Sequence, residues 1–314
     1  MRTRPLGKTG LNVSELAVGT WGLSGEPYGP VDAAEAERTL RRALDMGFTL
    51  VDTADSYGAG KMERMVGAVV GKRDDVVVVT KGGIDRSHEP PRKNFTKAYL
   101  EAAVRRSLTR LGRDHLDVYL LHNPTASTIY AGEVAGVLGE MVKAGTIRFW
   151  GVSAGDEHVA RAALEHGAQV VELPYNVFHG RDLNRVSGDL MVSGAGVLAR
   201  SVLNYGMLSG LWPKDREFPE TDHRSARWTR LEFERRLEQL DAVRYLVRKD
   251  VLTLRGAAVR FALANHLVSS AVLGPRTVAQ LEQLVRETGG GPRYLPDDDL
   301  RSLPQALERV GIET

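Results

Sequence analysis

Four side chains in the first part of the chain are of the kinds that place a proton on a carbonyl oxygen: Asp52, Tyr57, Lys81 and His122. Lys81 ends the run Val76-Val-Val-Val-Thr-Lys81, and an ammonium there is costly to bury unless a carboxylate accompanies it. Asp52, which ends Thr49-Leu-Val-Asp52, can supply that partner. A lysine charge beside Tyr57 is expected to favour the phenolate and lower the phenol from its usual value of about 10. Such a group can protonate a carbonyl oxygen as hydride arrives at the carbon. His122, ending Tyr119-Leu-Leu-His122, can hydrogen-bond the same oxygen. Taken singly, each has an ordinary reading as an ion-pair member, a satisfied polar residue or a loop aromatic. The case rests on the four together, in order.

They meet only if the elements that carry them are arranged to converge. Apolar runs at 16–18, 49–52, 76–81, 116–122, 147–153, 169–173, 196–201 and 269–273 are mostly Val- and Leu-rich without alternation, as parallel strands buried on both faces are. Helical patterns lie between or after them at 32–46, 61–70, 96–111, 131–144, 157–166, 229–249, 253–265 and 277–286. Asp32-Ala-Ala-Glu35 reads as a capping box, and Gly112 as a helix stop. This alternation fits repeated βα units, in an open sheet or a closed barrel. Asp52, Lys81, His122 and Ser153 each end a different strand, and a barrel gathers such ends on one rim, where its active sites lie. The expected fold is therefore α/β, a (β/α)8 TIM barrel forming a single domain over 1–314. A hairpin at 1–14, loops at 203–227 and a C-terminal tail at 287–314 fall outside the repeat.

Lys plus Arg is 42 against 40 for Asp plus Glu, a balance that points away from nucleic acid. The absence of cysteine excludes disulfides, thiolate metal sites and cysteine nucleophiles. No spacing of histidines or carboxylates marks a metal site. No apolar run approaches the roughly 18 residues of a membrane helix, and no signal peptide is visible, so a soluble cytoplasmic protein is expected. The basic stretch 224–236 reads as a solvated helix face. Gly151-Val-Ser153-Ala-Gly155 matches the G-x-S-x-G elbow of serine hydrolases, with Asp222, His223 or His266 to complete a triad. That reading leaves the first four residues unexplained. A Schiff-base aldolase could use Lys81 on the same barrel.

The segments Asp52-Thr-Ala-Asp-Ser-Tyr57, Val-Thr-Lys81 and Leu-Leu-His122 resemble the Asp, Tyr, Lys and His tetrad of the aldo-keto reductase family. The similarity runs from Leu6-Gly-Lys-Thr-Gly10 to about Gln283. It implies NADP(H) as cofactor, with NAD(H) as second choice, and an aldehyde or ketone reduced to an alcohol with Tyr57 as general acid. An NADP(H)-binding regulatory subunit with little turnover would carry the same residues.

The cofactor residues so implied are Thr20, Trp21, Ser153, Glu172, Arg200, Ser201, Leu203, Gly274, Arg276, Gln280 and Gln283. Three depart from the family's habit: Ala154 replaces an asparagine, Glu172 a glutamine, and Arg200 an aromatic ring, although a guanidinium plane can also stack. Leu284 stands where the family has an asparagine. Thr277 and Gln280 mark a helix start suited to phosphate, and Arg276 can pair with a 2′-phosphate. Trp21, Tyr28, Tyr57 and His122 are expected to line the substrate pocket, with Phe178 and Trp212 as further aromatic candidates and 82–94 as one rim. A dry aromatic wall would suit aromatic or medium aliphatic carbonyls.

Overall fold

The eight apolar runs become eight parallel strands: β1 (Leu16–Gly19), β2 (Leu50–Asp52), β3 (Val77–Gly82), β4 (Leu116–His122), β5 (Ile147–Ser153), β6 (Val170–Pro174), β7 (Gly196–Arg200) and β8 (Val268–Leu273). The computed structural model describes residues 1–292 and 294–313. Each strand pairs with the next in sequence, and β8 returns to β1 with Ala271 opposite Leu16, closing the barrel. Closure leaves these strands no free edge. The continuous Val and Leu runs are explained by burial on both sides. One set of side chains fills the lumen, among them Leu50, Val79, Val118, Leu120 and Leu198. The other packs outward against the helices, as Val51, Val78, Leu121 and Val152 do.

The N-terminal hairpin pairs Thr3–Pro5 with Asn12–Ser14 and closes the lumen at the strand starts. Leu6 and Val13 are wholly buried there. Its turn presses directly on β7: Gly7 has φ +54, and a Cβ on it would stand 2.3 Å from the Gly196 nitrogen. Arg4 secures the hairpin by donating to the Val268 and Leu263 carbonyls, at 2.8 Å each.

Several boundaries differ from the sequence expectation. Asp32 caps the helix Ala33–Asp45 by accepting from the Glu35 N–H, but the Glu35 carboxylate does not return the bond. It turns to Arg38 and the Val278 N–H, so the capping box is only half formed. The pattern at 131–144 holds the helix Glu133–Lys143, opened by left-handed Gly132, and a short helix not expected, Ala126–Tyr130, precedes it. The pattern at 229–249 holds a helix only over Arg230–Asp241, followed by a short 3-10 turn at Arg244–Leu246. Within 287–314, read as an irregular tail, lies the helix Asp297–Glu308. Pro304 inside it hides the pattern, because proline usually interrupts a helix. The spacing of Leu303 and Leu307 nonetheless gives it an apolar face, buried with Phe233 and Leu237 in a second core.

Leu6→Ala is expected to cost roughly 2–5 kcal/mol, the range for truncating a fully buried leucine. Urea unfolding should show a lower midpoint with an unchanged slope. An unchanged midpoint would mean that the hairpin is not part of the cooperatively folded barrel.

Candidate active site

Asp52 closes β2, His122 closes β4, Ser153 closes β5 and Arg200 closes β7, while Lys81 is next to last in β3. Parallel pairing aligns these ends, with His122 opposite Ser153 and Ser153 opposite Glu172 of β6. Tyr57 follows β2 on a tight turn in which Gly58 and Ala59 both adopt positive φ. All of them face one end of the barrel.

Lys81 is fully buried. Its ammonium donates to Asp52 and, at 3.1 Å, to the Thr53 carbonyl oxygen. A second carboxylate, not foreseen as a lysine partner, approaches it: Glu172 Oε2 lies 3.2 Å from Lys81 Nζ. Glu172 Oε1 accepts from the Ser153 hydroxyl at 3.1 Å and lies 3.5 Å from Arg200 Nε. Arg200 also donates to the Ala154 carbonyl oxygen at 3.0 Å. Two carboxylates and two cations thus form one buried, formally neutral cluster.

The Tyr57 ring packs edge-on to His122, with centroids 5.8 Å apart, and Lys81 Nζ is 5.5 Å from its ring centre. Lowering of the phenol by Lys81 does not hold. Burial raises Tyr57, outweighing Lys81, while Asp52 and Glu172 raise it further. His122 is held well below its usual value by burial and by the charges of Lys81, Lys93 and Arg200, so its imidazole is neutral. Its Nδ1 lies 3.4 Å from the Ser56 hydroxyl. Burial opposes the charge on Lys81, yet Asp52 and Glu172 together raise it. Burial and the Glu172 charge push Asp52 up, against the pull of Lys81.

These groups open on a cavity of about 940 Å³. Trp21, Tyr28, Tyr57 and His122 line it as expected, and Trp212 joins them. Ser153, Glu172 and Arg200 contribute from the strand ends. Ser201 and Leu203 follow on the loop after β7, Gly274 and Arg276 on the loop after β8, and Gln280 in the first turn of the helix after that loop. Ile84, Arg86 and Pro91 supply the rim expected of 82–94. Three expected residues lie elsewhere. Thr20 is buried and spends its hydroxyl on the Asp52 carbonyl oxygen. Gln283 does not line the cavity, whereas the next residue, Leu284, does. Phe178 belongs to the second core, beneath the long loop.

The mouth is far from a dry aromatic wall. Trp21, Tyr28 and Tyr205 surround His223, with centroids 4.9 to 5.5 Å from its ring. Seven arginines also line the cavity. Arg86, Arg200, Arg224 and Arg255 have carboxylate partners in Glu26, Glu172, Asp222 and Glu287. Among the described residues Arg216, Arg227 and Arg276 have none. Arg227 lies 3.4 Å over the Tyr205 ring, and Arg216 over Trp212 at 5.3 Å. Arg224 and Arg227 therefore belong to the cavity rather than to a solvated helix face. Trp228, directly after Arg227, was the available signal in the sequence.

Thr277 caps the helix Val278–Thr288 by accepting from the Gln280 N–H. The first N–H of that helix, on Val278, is already taken by Glu35 at 3.0 Å. Anion binding beside it thus falls to side chains, above all Arg276. That residue donates to the Gly29 and Pro30 carbonyl oxygens at 2.8 and 3.0 Å and keeps its buried Nε without a partner. An orphaned guanidinium nitrogen and three cations free of carboxylates fit a phosphate-bearing cofactor.

The hydrolase reading finds no triad. The Ser153 hydroxyl is committed to Glu172, Asp222 is bonded to Arg224, and His266 is exposed at the far end of β8. Gly151 serves strand packing, since a Cβ there would stand 1.8 Å from the Val170 carbonyl oxygen.

The family model "Aldo/keto reductase family" matches residues 15–288. An aldo-keto reductase of Bacillus subtilis, YhdN, is 30% identical over 320 residues, covering 99% of this chain and 95% of the relative. The NADP(+) aldo-keto reductase yakc of Schizosaccharomyces pombe is 27% identical over 322 residues, covering 99% and 92%. The solved glycerol dehydrogenase AKR11B4 of Gluconobacter oxydans superimposes with a TM-score of 0.84 at 27% identity, covering 99% of this chain and 97% of that one.

Lys81→Met leaves Asp52 and Glu172 buried without their shared cation and should cost roughly 3–5 kcal/mol. A carboxyl whose folded value is raised loses stability as pH climbs through that value. The deficit against the parent, read by urea unfolding, should therefore be larger at about pH 8 than at about pH 5.5. An equal deficit at both would show that these carboxylates do not depend on Lys81.

Proposed function

This chain belongs to the aldo/keto reductase family and is an NADP(H)-dependent oxidoreductase, and from that premise we propose that it reduces aldehydes or ketones to alcohols with Tyr57 as the proton donor. The observation that carries this reading is a raised phenol and a neutral imidazole on one cavity wall, with an ammonium buried behind it against Asp52. When bound, the reduced nicotinamide supplies hydride to the carbonyl carbon. Tyr57, still protonated at neutral pH, gives its phenolic proton to the carbonyl oxygen. The phenolate left behind is stabilised by Lys81 and regains a proton from water at the mouth. His122 has its second ring nitrogen for the same oxygen, orienting it without adding charge.

Ser153, Glu172 and Arg200 would hold the nicotinamide end, with Arg200 presenting a planar cation in place of a ring. Arg276, Arg216 and Arg227 would hold the phosphates. Arg276 is the best placed to read a 2′-phosphate, since Glu35 already occupies the neighbouring helix N-terminus. That choice would favour NADPH over NADH.

Tyr57→Phe should lower carbonyl reduction by about 10²- to 10⁴-fold, the usual contribution of a positioned acid, with NADPH binding nearly unchanged. Consumption of NADPH over a panel of aldehydes and ketones measures the first, and quenching of protein fluorescence the second. Near-normal turnover in the variant would remove Tyr57 from the role. A parent protein that binds NADPH but reduces nothing in the panel would instead favour a binding subunit. Arg276→Ala should raise KM for NADPH by a larger factor than KM for NADH, and equal factors would mean that Arg276 does not read the 2′-phosphate.

A further inference from the structure

We propose that Glu172 is a positioning residue that competes with Tyr57 for the ammonium of Lys81, so that the site is set to give a proton rather than take one. The inference rests on the reductase reading above. It starts from the number of donors. An ammonium has three N–H groups. Lys81 spends one on Asp52 and one on the Thr53 carbonyl oxygen. For the third, Glu172 Oε2 lies at 3.2 Å, buried and without a hydrogen-bond partner of its own, while the Tyr57 ring centre is 5.5 Å from the same ammonium.

Charge argues in the same direction. The groups around Tyr57 are Asp52 from β2, Lys81 from β3, His122 from β4, Glu172 from β6 and Arg200 from β7, with Ser153 of β5 uncharged. Lys93 lies behind His122, donating to its carbonyl oxygen at 3.1 Å. His122 is neutral, so above about pH 8, where Asp52 with its raised value of about 8 is ionised too, the cluster of Asp52, Glu172, Lys81 and Arg200 sums to zero beside the phenol. With an uncharged side chain at Glu172 the same cluster would carry one positive charge and favour the phenolate.

The two directions use opposite forms of Tyr57. In reduction the carbonyl C=O π bond is lost, hydride forms the new C–H bond and the phenolic proton forms the new O–H bond, leaving phenolate. In oxidation the phenolate removes the alcohol proton as hydride leaves the carbon. Glu172 cannot move the overall equilibrium, which belongs to the reactants. It sets the pH window in which each direction runs.

The test is the pH profile of alcohol oxidation with NADP(+) in the parent, Glu172→Gln and Arg200→Met. Glu172→Gln should bring the rising limb at least about one pH unit lower, about tenfold faster oxidation at a fixed pH on that limb. Arg200→Met, which leaves the cluster one charge more negative, should move the limb upward. Circular dichroism and NADPH fluorescence quenching check that each variant is folded and binds. Superimposable profiles in folded variants, or shifts of the same sign, would overturn the proposal. If Glu172→Gln does not fold, the direction of the Arg200→Met shift decides alone. Absence of turnover in the parent would count against the reductase reading, a distinct outcome.

Discussion

A lysine with no exposure to water sits at the rim of this barrel, and its charge is tolerable only because oxygen atoms from different strands close around it. Burying an ammonium is costly enough that the partners must be in place whenever the protein is folded. Asp52 comes from the neighbouring β2, whereas Glu172 comes from β6, three strands further round than β3. The ion cluster therefore spans the lumen and ties the two sides of the rim together. Tyr57 and His122 take their electrostatic surroundings from that cluster.

Burial decides the protonation states around it. Lys81 would pull the Tyr57 phenol down, but desolvation and the two carboxylates act the other way and prevail. For His122, desolvation and three nearby cations act together and keep the ring neutral. The result is a protonated phenol beside an uncharged imidazole.

Much of this was legible from residue order. The Val and Leu runs gave all eight strands nearly to the residue, because strands buried on both faces leave little room for other side chains. Asp52, Tyr57, Lys81 and His122 were legible because each ends an apolar run or directly follows one. Glu172 as a partner of Lys81 was not, since the two are far apart in sequence and meet only when β8 pairs with β1. Arg227 fell in a stretch read as a solvated helix face and Arg216 in a loop given no role, and only the fold of the loop after β7 brings them to the cavity mouth. Thr20 lies off the cavity for a related reason: its hydroxyl donates to the backbone of the adjacent strand. The helix Asp297–Glu308 was concealed by its internal proline.

The buried ionisable groups and the rings at the mouth are carried by different kinds of structure. Asp52, Lys81, His122 and Glu172 are built into strands whose register is locked by closure of the sheet. Trp21, Tyr28, Tyr205 and His223 belong to segments that hang beyond the strand ends. A substitution among those rings can therefore reshape what the entrance admits while leaving the charges locked between the strands untouched.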